Sequence, residues 1–384
     1  MADTTTRIRL GDPGALVAAL PHLLGFTPTD SLVAVGLRRP RSRLCLTLRL
    51  DLAAATETAV LDQLAAHLRR ADATEVVVVV AGSPAAREGA RDAVPPTGDL
   101  PHRAIVRAVR DVCERRRLVL RDALWADRGR WWSYVCTDPS CCPPEGTPVD
   151  PRAAEQLAAE LALSGRAPLP DREALERCVA GQFPLGEAVA ARTFAGAYDG
   201  DAATVSDGDP WAALTEAQAV LSAAVERCVP GGPGIAHTDR ARLCVLLTRP
   251  LVRDGALRWL GGPLHEAAQA LWHDLIRAAP PPWAAAPATL LALYVYARGD
   301  GPFARVCADR ALADDPGHTL AGLVHDMLDR GVPPEDVAAA ARDVVRRLDG
   351  GTPPRGGTVP RGWTVQGGGG APRGGTAPWG GGAP

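Results

Sequence analysis

Residues 76–80 read VVVVV, five β-branched side chains in a row with nothing polar among them. Branching at Cβ stiffens the side chain, disfavours helix and suits a pleated strand. Successive strand residues point to opposite faces, so a strand without polar alternation is buried on both. Such a strand needs covering layers above and below a sheet. The flanking sequence therefore has to supply both helices and partner strands.

The neighbours meet that demand. RIRL (7–10) reads as a short strand. Asp12 and Pro13 suit an N-cap and a first helical position. Leu16, Ala19, Leu20 and Leu23 keep helical spacing, and Gly25 can end the helix. SLVAVGL (31–37) and RLCLTLRLDL (43–52) follow, with RRPRS between them suiting a hairpin. The second of these places Leu44, Leu46, Leu48 and Leu50 on one face. Helices are expected at about 57–70 and 101–116, and a strand at 118–127. After the tight link RGR (128–130), WWSYVC (131–136) reads as a returning strand. Trp131, Ser133 and Val135 then face one way and Trp132, Tyr134 and Cys136 the other, the aromatics serving as cross-strand packing. Residues 1–150 are thus expected to form a mixed-sheet α/β (α+β) domain.

From about 151 the strand signals stop. Helices are expected at about 153–165, 172–180, 211–228, 238–248, 264–278, 287–298, 302–314, 318–330 and 334–348, with 197–210 a polar linker. Residues 151–348 therefore read as an all-α domain. The remainder, 349–384, is rich in Gly and Pro. It cannot bury enough apolar surface to offset chain entropy and reads as a disordered tail.

The net charge of −2 supplies no general attraction for nucleic acid or an anionic membrane. All 42 basic residues are Arg, and Asn is absent as well as Lys. Lys and Asn both have A-rich codons, so a GC-rich genome accounts for this without a need for guanidinium chemistry. MADTTTRIRLGDPG, at the N-terminus, lacks the apolar core of a secretory signal, and no apolar run is long enough to span a bilayer. Nine Cys, an odd number scattered along the chain, fit reduced thiols. A cytoplasmic protein without membrane contact is expected.

LPHLLGFTPTDSLVAVGL (20–37), LRLDL (48–52), RWWSYVCTDPSCCPPEGTPV (130–149) and ALYVYARGDGPFARVCADRALADDPGHTLAGL (292–323) resemble an uncharacterised actinobacterial family, domain-of-unknown-function family number 4192. The resemblance covers about 7–335 and implies no activity to transfer. A local resemblance lies near 288–320. There Leu291, Ala292, Gly299, Asp300, Ala304, Ala311 and Pro316 fall at the spacing of one tetratricopeptide-like helical hairpin. A single copy implies either a packed hairpin or a groove for a partner peptide.

Two clusters carry candidate chemistry. Cys136, Cys141 and Cys142 form a C-x4-C-C group. They are candidate zinc ligands, although the usual spacing is C-x2-4-C and the fourth ligand would have to be Cys113, Cys45 or His102 brought in by folding. A nucleophilic thiol and plain packing are the alternatives. His22, Asp30, Ser31, Arg49 and Asp51 form a candidate ligand pocket around GFTPTDS (25–31), near strand ends where α/β sheets place ligands. Turn chemistry plus an Arg49–Asp51 pair explains the same residues.

Two further patterns are weaker. Nine Arg in 103–130 offer a basic face for phosphates. His273-Asp274 and His325-Asp326 are similar to the metal-binding pairs of helical phosphohydrolases. The P-loop, dinucleotide, esterase and zinc-protease signatures are absent from the sequence. The leading expectation is a non-enzymatic protein whose α/β domain binds a ligand or acts as scaffold and whose helical half docks a protein partner. An enzyme with its site at loops 25–31 and 136–146, using zinc or a thiol, is the alternative. Nucleic-acid binding through 103–130 ranks third.

Overall fold

The computed structural model describes residues 12–40, 42–82, 100–150, 167–184, 186–205 and 210–350. The expected strand at 7–10, the helix at 153–165 and the tail beyond 350 lie outside the described residues. Helix α1 (Pro13–Leu24) opens on Asp12, whose side chain accepts from the Gly14 amide at 2.9 Å, and closes on Gly25. Its buried stripe is Leu16, Leu20 and Leu24, so Leu24 takes the place expected for Leu23. Strands β1 (Ser31–Arg38) and β2 (Arg43–Asp51) form the expected hairpin. A bulge at Gly36/Leu37 pairs Leu37 with Leu44 and leaves Cys45 without an opposite residue. That shift takes Leu44 off the inner face, and it is exposed.

Helix α2 (Thr58–Arg70), β3 (Glu75–Ala81), α3 (Arg103–Arg115), β4 (Val119–Asp127), β5 (Arg130–Ser133) and a short β6 (Thr147–Pro148) complete the sheet region. The strand order is β2-β1-β3-β4-β5-β6. Only the β3–β4 pair is parallel, which makes the sheet mixed. Val76–Val80 occupy the central β3, each at most 4% exposed, as the unbroken apolar run requires. On one face Leu32, Val76, Val78, Val80 and Trp125 pack against α2 and α3 in a single core. On the other, α1 lies against β2 and β5, with Gly14 beside the Trp131 ring. Glu75 is buried at the sheet's opposite end, held by Arg39 at 2.8 Å, Ser42 at 3.0 Å and Arg121 at 3.4 Å.

The remaining helices are α4 (Arg172–Cys178), α5 (Glu187–Val205), α6 (Pro210–Arg227), α7 (His237–Leu247), α8 (Pro250–Gly255), α9 (His265–Ala278), α10 (Ala285–Ala297), α11 (Gly301–Asp314), α12 (Thr319–Asp329) and α13 (Pro334–Asp349). The expected linker at 197–210 is helical as far as Val205, because its Ala residues favour helix over the turn tendency of its Asp and Gly. By contacts the chain divides into two compact units. One comprises 1–180 together with 298–306 and 323–334; the other comprises 181–297, 307–322 and 335–384. In the first, Gln63 donates to the Asp329 carbonyl at 3.4 Å and Gly331 lies against the His67 ring. The second is built around Trp259, Trp272 and Tyr294, whose hydroxyl donates to the Ala256 carbonyl at 2.6 Å. No described helix is long and apolar enough to cross a membrane.

Candidate functional site

The Cys group is assembled by its own loop and anchored by the aromatics before it. Arg128 and Gly129 both have positive φ, which gives the two-residue turn that right-twisted strands prefer and brings β5 back along β4. Trp132 stacks on Trp125 with ring centroids 4.5 Å apart, and the Tyr134 hydroxyl donates to the Pro101 carbonyl at 2.6 Å. The expected strand 131–136 is shorter than its alternation suggests. Ser133 ends it, because the Ser133 hydroxyl accepts from the Val135 and Cys136 amides at 3.1 and 3.0 Å and pulls the chain out of the ladder. That hydroxyl donates in turn to Asp122 at 3.0 Å.

A tight turn then returns the chain. Asp138 and Pro139 suit its first two positions. The Asp138 carbonyl accepts from the Cys141 and Cys142 amides at 3.1 and 2.7 Å, while its side chain accepts from the Ser140 amide and hydroxyl at 2.9 and 2.7 Å. The loop is closed by Trp132, whose indole N–H donates to the Pro144 carbonyl at 3.0 Å, and by Arg130, which donates to the Gly146 carbonyl at 2.8 Å.

The result is that the Sγ atoms of Cys136, Cys141 and Cys142 all lie within 4.8 Å of one another. Cys141 is exposed and the other two are half-buried. The backbone N–H of Asp138, and then the Cys142 thiol, hold Cys136 below the usual thiol range. Desolvation, and then the neighbouring thiols, push Cys142 up to about 12. Of these two thiols Cys136 thus ionises first. The proposed fourth ligands do not join it. Cys113 is on the buried face of α3, its thiol raised to about 11 by burial, and Cys45 is on β2 at the far edge. His102 caps α3. Asp122, Arg130, Ser133, Asp138 and Gly146 position the thiols and went unrecognised in the sequence; the Asp-Pro-Ser turn signature was the signal available.

The second cluster is a strand-end lock. Ser31 is fully buried, donates to the Thr29 carbonyl at 2.5 Å and accepts from Arg49 Nε at 2.8 Å. Arg49 also pairs with Asp51 at 2.6 Å. Asp30 has a positive φ, and its carbonyl accepts from the Leu52 amide at 2.9 Å. His22 sits in the last turn of α1. Both the donor and an acceptor site of the Ser31 hydroxyl are committed to this lock. The sheet does not bring loop 25–31 and the Cys loop together. Loop 25–31 runs into β1, and β1 and β5 are three strand spacings apart, about 14 Å.

The weaker patterns disperse. Of the nine Arg in 103–130, six have named partners: Arg103 over the Tyr134 ring, Arg115 and Arg116 on Asp62, Arg121 on Glu75, Arg128 on Asp127, and Arg130 on the loop carbonyls. Asp274 is held by Arg240 through both carboxylate oxygens, at 2.8 and 2.9 Å, and His325 pairs with Asp329 at 3.3 Å. Among the described residues no second group of His, Cys, Asp and Glu converges as the three Cys do.

No curated protein and no solved structure matches the chain. One family model does, over residues 13–335, a span that holds the whole sheet, the Cys loop and the segments 298–306 and 323–334 that complete the first unit. The chain belongs to the family described as domain of unknown function DUF4192.

Proposed function

We propose that this is a non-enzymatic metal-binding protein of a reducing, cytoplasmic compartment, in which Cys136, Cys141 and Cys142 hold one soft ion, zinc in the first instance. The observation that carries the reading is the approach of the three Sγ atoms to within 4.8 Å. A tetrahedral zinc with Zn–S of about 2.3 Å sets its sulfurs about 3.8 Å apart; the Cys141 and Cys142 sulfurs are already at 4.0 Å, and no pair has to close by more than about 1 Å. An all-sulfur donor set favours zinc or copper(I) over magnesium or calcium. None of the nine thiols is in a disulfide, which supports a reducing compartment. Three thiolates also outweigh the charge of a dication. That lowers its power to acidify a bound water, and so supports binding over hydrolysis.

The test is metal content of the full-length protein purified reduced and without chelator, beside a Cys141→Ser, Cys142→Ser double variant. About one zinc per chain, lost in the variant, is expected. Metal-free protein that takes up none on addition of zinc overturns the reading.

A further inference from the structure

We infer that the ion on Cys136, Cys141 and Cys142 keeps an open fourth position and fills it with a thiolate from another molecule, so that the site exchanges its ion with thiols instead of locking it in. The inference rests on the metal-binding reading above. All nine Cys of the chain are described, and only these three gather; the other six lie elsewhere in the fold. A fourth thiolate therefore cannot come from the same chain in this fold. Of the loop's two carboxylates, Asp138 is turned back onto Ser140 through Oδ1, and neither it nor Glu145 belongs to the converging group.

The geometry also gives access. Cys141 is exposed, and the loop lies at the β5–β6 edge of the sheet. Structural zinc sites are closed by four protein ligands, whereas three protein ligands leave a position for an outside one. The ion has already selected sulfur on three sides, and a soft donor suits it better on the fourth than water does. No electron transfer is involved. An incoming thiol loses its proton to solvent as its sulfur bonds to the ion, and the water that held the position leaves. Departure of the ion follows if the outside thiols go on to replace the three Cys.

Two sources share this chemistry, a low-molecular-weight thiol and a cysteine of a second copy of the chain. Cobalt(II) separates them, since its sulfur-to-metal charge-transfer band scales with the number of Co–S bonds. The full-length reduced protein is loaded with cobalt(II) and titrated with reduced glutathione, with sedimentation run in parallel. The expected result is one ion per chain and a band that grows by about one third on adding the thiol, as one Co–S bond joins three. The same four-sulfur intensity without added thiol, at one ion per two chains, supports the inference with the second copy as source. A three-sulfur band indifferent to millimolar glutathione and to protein concentration overturns the inference and leaves the metal reading standing. No cobalt band, or one unchanged in the Cys141→Ser, Cys142→Ser variant, overturns the metal reading itself.

Discussion

Gly146→Ala should cripple metal binding without touching a ligand. Gly146 has φ +79, and a Cβ added there would sit 2.3 Å from Trp132 Cε2, 2.5 Å from Cζ2 and 2.8 Å from Nε1. Trp132 has little room to yield, being stacked on Trp125 at 4.5 Å and part of the α2–α3 core. The loop must give way. The left-handed backbone costs an alanine about 1–2 kcal/mol. Overpacking adds about 1–3 kcal/mol. Loss of the Trp132–Pro144 hydrogen bond adds about 1 kcal/mol. The combined penalty is on the order of 3–6 kcal/mol, and the loop can escape it by detaching while the sheet stays folded. Binding a metal then requires the detached loop to be forced back. Zinc affinity should fall by about two to four orders of magnitude, at about 1.4 kcal/mol per tenfold. Gly129→Ala is the control. It shares a positive φ, +72, but a Cβ there meets nothing within 4 Å. It should lose no more than about thirtyfold. Competition titration against a chromophoric chelator measures both. A Gly146→Ala protein that binds zinc within about threefold of the parent would refute the claim that this hairpin organises the thiols.

Asp138→Ala removes the acceptor for the Ser140 amide and hydroxyl and should weaken zinc about fivefold, whereas Asp138→Asn keeps the acceptor and should not; the same titration reads both. Zinc affinity should fall steeply as pH drops, by about a hundred- to a thousandfold per unit near neutrality, because two to three thiols must shed protons and Cys142 stands at about 12; calorimetry in two buffers counts the protons released. Glu75 is held below the usual carboxylate range chiefly by its hydrogen bond from Arg39. Its contribution is therefore present above the unfolded carboxyl's pKa and lost as pH falls through the lowered folded one. Glu75→Gln should cost about 1–2 kcal/mol at neutral pH and flatten the acid limb of stability, as urea melts across pH will show.

The sheet was legible because its cause is local. Val76–Val80 dictate a doubly covered strand, and the alternation of 43–52 dictates a hairpin partner for 31–37 across a short link. Cys136, Cys141 and Cys142 could be named from sequence, but their convergence could not. It depends on where β5 stops, and Ser133's hydroxyl, not the apolar pattern, decides that. Around Ser31 and Arg49 the sequence names the polar residues but not the bonds that tie them, Ser31 to the Thr29 carbonyl and Arg49 to the Ser31 hydroxyl. The return of 298–306 and 323–334 to the first unit leaves no periodic trace. Its visible contacts, Gln63 with Asp329 and His67 with Gly331, join residues with no shared pattern.

That return has a consequence for how the chain is made. The ribosome delivers residue 180 roughly 150 residues before it delivers 334, and the first unit needs both ends. At about 5–20 residues per second the interval is about 8–30 s, long against the folding of a small domain. Throughout it, the nascent chain carries a five-valine strand in a sheet region whose last pieces do not yet exist. The first unit to begin emerging is thus among the last to be finished, and an expression fragment cut anywhere before residue 334 reproduces that unfinished state permanently.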